Sequence, residues 1–141
     1  GEDAETLESV AAQPWDFVVL QAQNYSLSGC CDYPTTGAET LVRLVRERGA
    51  VPVLYAEWAR RGIDETDRIV ETYQRITEGR PSCLPPVPEA FDIALRRDPG
   101  LVLHAEDGNH SSDAGAYLAS TVLASAIADD AISVLPAARA C

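Results

Sequence analysis

Lysine and methionine are absent from this 141-residue chain, and positive charge is scarce. Eleven arginines stand against 22 acidic residues, for a formal net charge of −11. A nucleic-acid binder needs a basic stripe to neutralise phosphates; none is present, so polyanion partners are excluded. No apolar run approaches the roughly 20 residues that cross a bilayer, so no membrane span is expected. The opening Gly-Glu-Asp-Ala-Glu lacks the apolar segment of a signal peptide. Cys30, Cys31, Cys83 and Cys141 form neither a CxxC pair nor a Cys/His metal spacing, which leaves them as partners of distant thiols or as free thiols. No glycine-rich loop cradles a phosphate.

What is present is an alternation of strands and helices in a chain long enough for a single domain, residues 1–141. A polar helical lead-in ends at Pro14, and Trp15-Asp-Phe-Val-Val-Leu reads as a buried strand. A turn-rich loop follows. Ala38, Leu41, Val42 and Val45 recur at helical spacing from Thr36 to Arg48, with Gly49 as the stop. Val51-Pro-Val-Leu-Tyr-Ala is a second strand, and Ile69, Tyr73 and Ile76 share one face of a helix from Asp64 to Glu78. The segment from Pro81 to Pro88 is a loop or a short strand around Cys83 and Leu84, and a short helix runs from Glu89 to Arg97. Leu101-Val-Leu-His is expected to be the last strand. Ser112 caps a final helix whose Leu118, Val122, Leu123 and Ile127 face the core. This pattern implies βαβ units and a mostly parallel sheet, covered on both faces by helices.

In such sheets a site lies beyond the carboxyl ends of the strands. Polar clusters fall there at Gln21–Ser28, Glu57–Arg61 and Glu106–His110. The last carries the chemistry. Asp107 stands three residues before His110, in a turn with Gly108, ahead of an apolar helix. A histidine needs a fixed tautomer to take a proton from a hydroxyl, and a neighbouring carboxylate fixes it. Asp107, His110 and Asp113 match no strong metal spacing. Ser26 and Ser28 lie in a loop without the sharp elbow that presents a nucleophile. Glu57, Trp58, Arg60 and Arg61 read as a solvated rim or as substrate contacts, with Trp58 a stacking surface for a sugar or acyl group. His104 is expected to pack at a strand end.

Taken in order, WDFVVLQAQNYS, PVLYAEWARR, LPPVPEAFDIAL and DGNHSSDAGAYLAS resemble the SGNH (GDSL-type) hydrolases, roughly from Trp15 to Ile127. The resemblance implies a flavodoxin-like three-layer α/β/α fold, serine esterase chemistry, and no metal or organic cofactor. It implies His110 as general base and Asp107 as its orienting acid. Where the family carries Gly-x-Asn, this chain has Gln21-Ala22-Gln23 and then Asn24, so Gln23, or else Asn24, is the implied oxyanion-hole donor. The family's Gly-Asp-Ser block has no counterpart here. The expectation is therefore the C-terminal part of such a domain, incomplete at its N-terminus and inactive on its own. Its first strand would be an uncovered edge open to self-association.

The implied substrate is a small-molecule or carbohydrate-linked ester, cleaved through an acyl-serine intermediate. Two other readings stand beside it: a carbohydrate- or ester-binding domain of the same fold without turnover, and an acidic α/β interaction module.

Overall fold

The computed structural model describes residues 8–10, 12–21 and 34–128. Two parallel strands, β1 (Phe17–Gln21) and β2 (Val51–Tyr55), are followed or separated by four helices: α1 (Thr36–Glu47), α2 (Thr66–Thr77), α3 (Val87–Arg97) and α4 (Asp113–Ile127). The strands pair in register from Phe17 opposite Val51 to Gln21 opposite Tyr55. Helix α1 joins them as a crossover, the connection that parallel strands require.

Because side chains alternate along a strand, β2 feeds two cores. Leu54 points into a cluster with Leu20 of β1, Val42 and Val45 of α1, and Ile69, Tyr73 and Ile76 of α2. Val53 packs on the opposite side with Cys83 and Ala126, and Leu123 and Ile127 of α4 close over it. Helices therefore cover both faces, as in a flavodoxin-like α/β fold. Burying a side chain such as Leu54, 1 % exposed, contributes about 1.5–3 kcal/mol. Cover on β1 is thinner: Phe17 and Val19, on one face, remain 37 % and 49 % exposed.

The Pro81–Pro88 segment is a loop up to Pro86 with a single strand-like bridge at Cys83, and Val87 and Pro88 already belong to α3. Cys83 forms a parallel bridge with Val53, its N–H donating to Pro52 O (2.9 Å) and its carbonyl accepting from Leu54 N (2.8 Å). Cys83 is disulfide-bonded and is the one cysteine among the described residues.

The expected strand at Leu101–His104 is not one. The place beside β2 is taken by Cys83, and residues 103–112 pair with their own return instead. His104 bridges Ser111 antiparallel, Ala105 N–H donates to His110 O (2.8 Å), and Ser112 N–H donates to Leu103 O (2.9 Å). Val102, left outside any ladder, is 67 % exposed.

Ser112 caps α4 as its sequence suggests: its Oγ accepts from Gly115 N and donates to Val102 O. The expected residues of α4 do face the core, with Leu118, Leu123 and Ile127 packed on the core clusters and Val122 buried, but its small residues lie deepest. Gly115, Ala119, Val122 and Ala126 are buried, while Leu118, Leu123 and Ile127 are only partly so. Small residues let the helix axis approach the 101–104 segment closely. A Cβ at position 115 would overlap Leu103 O and lie 3.1 Å from Leu103 C, so this approach requires glycine.

Candidate active site

The turn that carries Asp107 and His110 is built from its own backbone outward. Gly108 adopts φ +71°, a left-handed conformation that costs glycine little. Gly108 N–H donates to Ala105 O (3.0 Å), closing the turn. Asp107 Oδ1 accepts from the backbone N–H groups of Asn109 (2.9 Å) and His110 (3.0 Å), the Asx pattern that short acidic side chains make with residues just beyond them. Its other oxygen, Oδ2, lies 2.5 Å from His110 Nδ1. A carboxylate only accepts, so Nδ1 carries the proton and Nε2 is the free ring nitrogen.

Electrostatics follow this geometry. The hydrogen bond from His110 and the two backbone donors hold the Asp107 carboxyl well below the usual carboxylate range. In return, the Asp107 hydrogen bond and charge raise the His110 pKa above its ordinary value; Glu57 pushes the same way. Both groups are solvent-facing, with the His110 side chain 78 % exposed. Among the described residues no serine hydroxyl bonds to Nε2.

The polar ends of β1 and β2 meet beside this pair. Gln21 Nε2 donates to Glu57 Oε1 at 2.6 Å. Gln21 is registered against Tyr55, two residues before Glu57, so the pleat sets both amide and carboxylate on one side. Sequence reasoning placed Glu57 in the rim; the strand register was the signal that could have tied it to Gln21.

Trp58 is half-buried. Its ring lies parallel on Phe91, centroids 4.5 Å apart, and its indole N–H donates to Asn109 O (2.9 Å). His104 packs in the interior, though not at a strand end: it is buried edge-on to Phe91, with Nε2–H donating to Ala59 O (2.9 Å). Arg61 binds the same turn: its backbone N–H donates to Gly108 O (2.9 Å), and its guanidinium donates to the carbonyls of Ala105 and His104. Gln23, Asn24, Ser26, Ser28, Cys30, Cys31 and Cys141 lie outside the described residues. No group of metal-ligating side chains assembles among the described residues, and no helix there is long and apolar enough to cross a membrane.

The fold is similar to that of a putative SGNH hydrolase. A solved structure of a putative SGNH hydrolase from Slackia heliotrinireducens superimposes with a TM-score of 0.68 at 28 % sequence identity, over 86 % of this chain and 70 % of that one. No protein-family model and no curated protein matches the chain.

Proposed function

We propose that this chain is part of a serine ester hydrolase of the SGNH type, in which Asp107 and His110 form the acid–base pair. The observation that carries the reading is the 2.5 Å contact between His110 Nδ1 and Asp107 Oδ2, which leaves Nε2 turned to solvent beyond the strand ends. From there an imidazole takes the proton of an attacking serine and returns it to the leaving alcohol. Asp107 holds the tautomer and stabilises the imidazolium. These 141 residues hold no counterpart of the family's Gly-Asp-Ser nucleophile, and in this reading Gln23, or else Asn24, donates a side-chain N–H to the developing oxyanion. The substrate is a small or carbohydrate-linked ester. The structural likeness supports a hydrolase-type fold, and the site chemistry supports ester cleavage on it.

A binding domain without turnover is the second reading, because the Gly-Asp-Ser block has no counterpart in this sequence. The two readings separate in an assay with p-nitrophenyl acetate. Protein expressed from the complete reading frame that contains this chain is expected to hydrolyse the ester, and His110→Ala to lower kcat by about 10³-fold or more. No turnover by that protein, or turnover indifferent to His110→Ala, overturns the hydrolase reading.

A further inference from the structure

We propose that the loop after β2 is the positioning element of the Asp107–His110 pair, with Arg61 and Trp58 as its working residues. The inference rests on the acid–base reading above and deepens it. Five hydrogen bonds join this loop to the turn at residues 104–109. Arg61 N–H reaches Gly108 O, and its guanidinium reaches Ala105 O and His104 O. Trp58 Nε1–H reaches Asn109 O, and Ala59 O accepts from His104 Nε2. Four of the five acceptors are carbonyls of the turn itself, on both sides of Asp107.

The arrangement is specific to orientation. Asp107 meets His110 through a turn only three residues long, so a small rotation of the 107–110 peptide planes moves Oδ2 off the ring nitrogen. A hydrogen bond fades steeply with misalignment, so the turn must be held from outside. Arg61 suits this because one guanidinium nitrogen, Nη2, donates to both carbonyls, and the rigid planar group fixes the directions of its N–H bonds. Trp58 adds a rigid arm: stacked on Phe91 of α3, it ties the Asn109 carbonyl to the helix layer. The Gly108 Cα region also lies against the Arg61 side chain; a Cβ at position 108 would meet Arg61 Cβ at 3.4 Å. The hydrogen bonds of Arg61 and Trp58 go to carbonyls of the turn and not to the imidazole, so both act through the turn.

The test is an NMR pH titration of the imidazole signals. The chain has two histidines, so buried His104 serves as the internal reference for the fold. Four forms are compared: wild type, Asp107→Asn, Arg61→Ala and Trp58→Phe. The phenylalanine keeps an aromatic stack on Phe91 and removes only the N–H. Arg61→Ala and Trp58→Phe are each expected to lower the His110 pKa by about half a unit or more, with the His104 signals in place. Loss of a nearby positive charge would raise a histidine pKa, so a fall in Arg61→Ala reports lost orientation and not lost charge. If Asp107→Asn lowers the His110 pKa while Arg61→Ala and Trp58→Phe leave it unchanged or raise it, the positioning role is overturned and the acid–base pair stands. If Asp107→Asn itself has no effect, the pair is not formed in solution and the underlying reading fails. Should Arg61→Ala not fold, Trp58→Phe decides the matter alone.

Discussion

Alanine at position 115 should destabilise this protein, against the usual direction for glycine to alanine in a helix. Gly115 lies in the first turn of α4, where its N–H is capped by Ser112 Oγ. The new methyl group would overlap Leu103 O, approach Leu103 C to 3.1 Å and approach Ser111 Cβ to 3.2 Å. Two of those atoms are backbone, so no flexible side chain can swing away. Relief requires α4 to move off the 101–104 segment, which opens the layer made by Phe91, Leu103, Ala119 and Val122. Overpacking of this kind costs about 1–3 kcal/mol, while the gain in helix propensity is at most about 1 kcal/mol. The net expectation is a loss of about 1–2 kcal/mol, or a fall in Tm of roughly 3–8 °C.

Gly37 is the matched control. It occupies the first turn of α1 with nothing within 4 Å of a built Cβ. Gly37→Ala should raise stability by up to about 1 kcal/mol. Both are read by thermal and urea denaturation followed by far-ultraviolet circular dichroism. Equal or greater stability of Gly115→Ala would refute the claim that α4 rests directly on the 101–104 backbone.

Ser112→Ala removes the cap on Gly115 N and the bond to Val102 O; a loss of about 1 kcal/mol of unfolding free energy is expected, read by urea denaturation. Leu54→Ala leaves a hole between α1 and α2 and should cost about 2–5 kcal/mol by the same measurement. The Asp107–His110 contact predicts a pH signature. The raised His110 pKa contributes stability present below its ordinary 6.5 and lost as pH rises through the folded value. The depressed Asp107 pKa contributes stability present above its ordinary 3.8 and lost as pH falls through the folded value. The stability difference between wild type and Asp107→Asn should therefore be largest between pH 3.8 and 6.5, and small throughout because the pair is exposed. A difference that does not vary with pH would contradict the contact.

The elements legible in the sequence were those set by local pattern. Val42 and Val45 of α1, and Ile69, Tyr73 and Ile76 of α2, are buried as their spacing implies. Asp107 and His110 touch because a glycine turn brings residues three apart together, again a local matter. What was not legible depended on distant partners. Leu101–His104 has the apolar character of a strand, yet Cys83 holds the place beside β2, and no local pattern reveals that competition. Leu118, Leu123 and Ile127 pack on the core as their side chains suggest. What side-chain size does not reveal is that the deepest positions of α4 go mostly to small residues, with Gly115 against Leu103 O. Trp58 serves a carbonyl 51 positions away, so its role as a strut was invisible beside its generic capacity to stack.

The most direct test is covalent. A fluorophosphonate reacts with a serine only when a neighbouring base activates it. Incubated with protein from the complete reading frame, it should form one adduct per chain on a serine. Mass spectrometry should find that adduct lost in His110→Ala and reduced in Asp107→Asn. No adduct in the wild type, or the same yield in His110→Ala, would contradict a hydrolytic role for this pair.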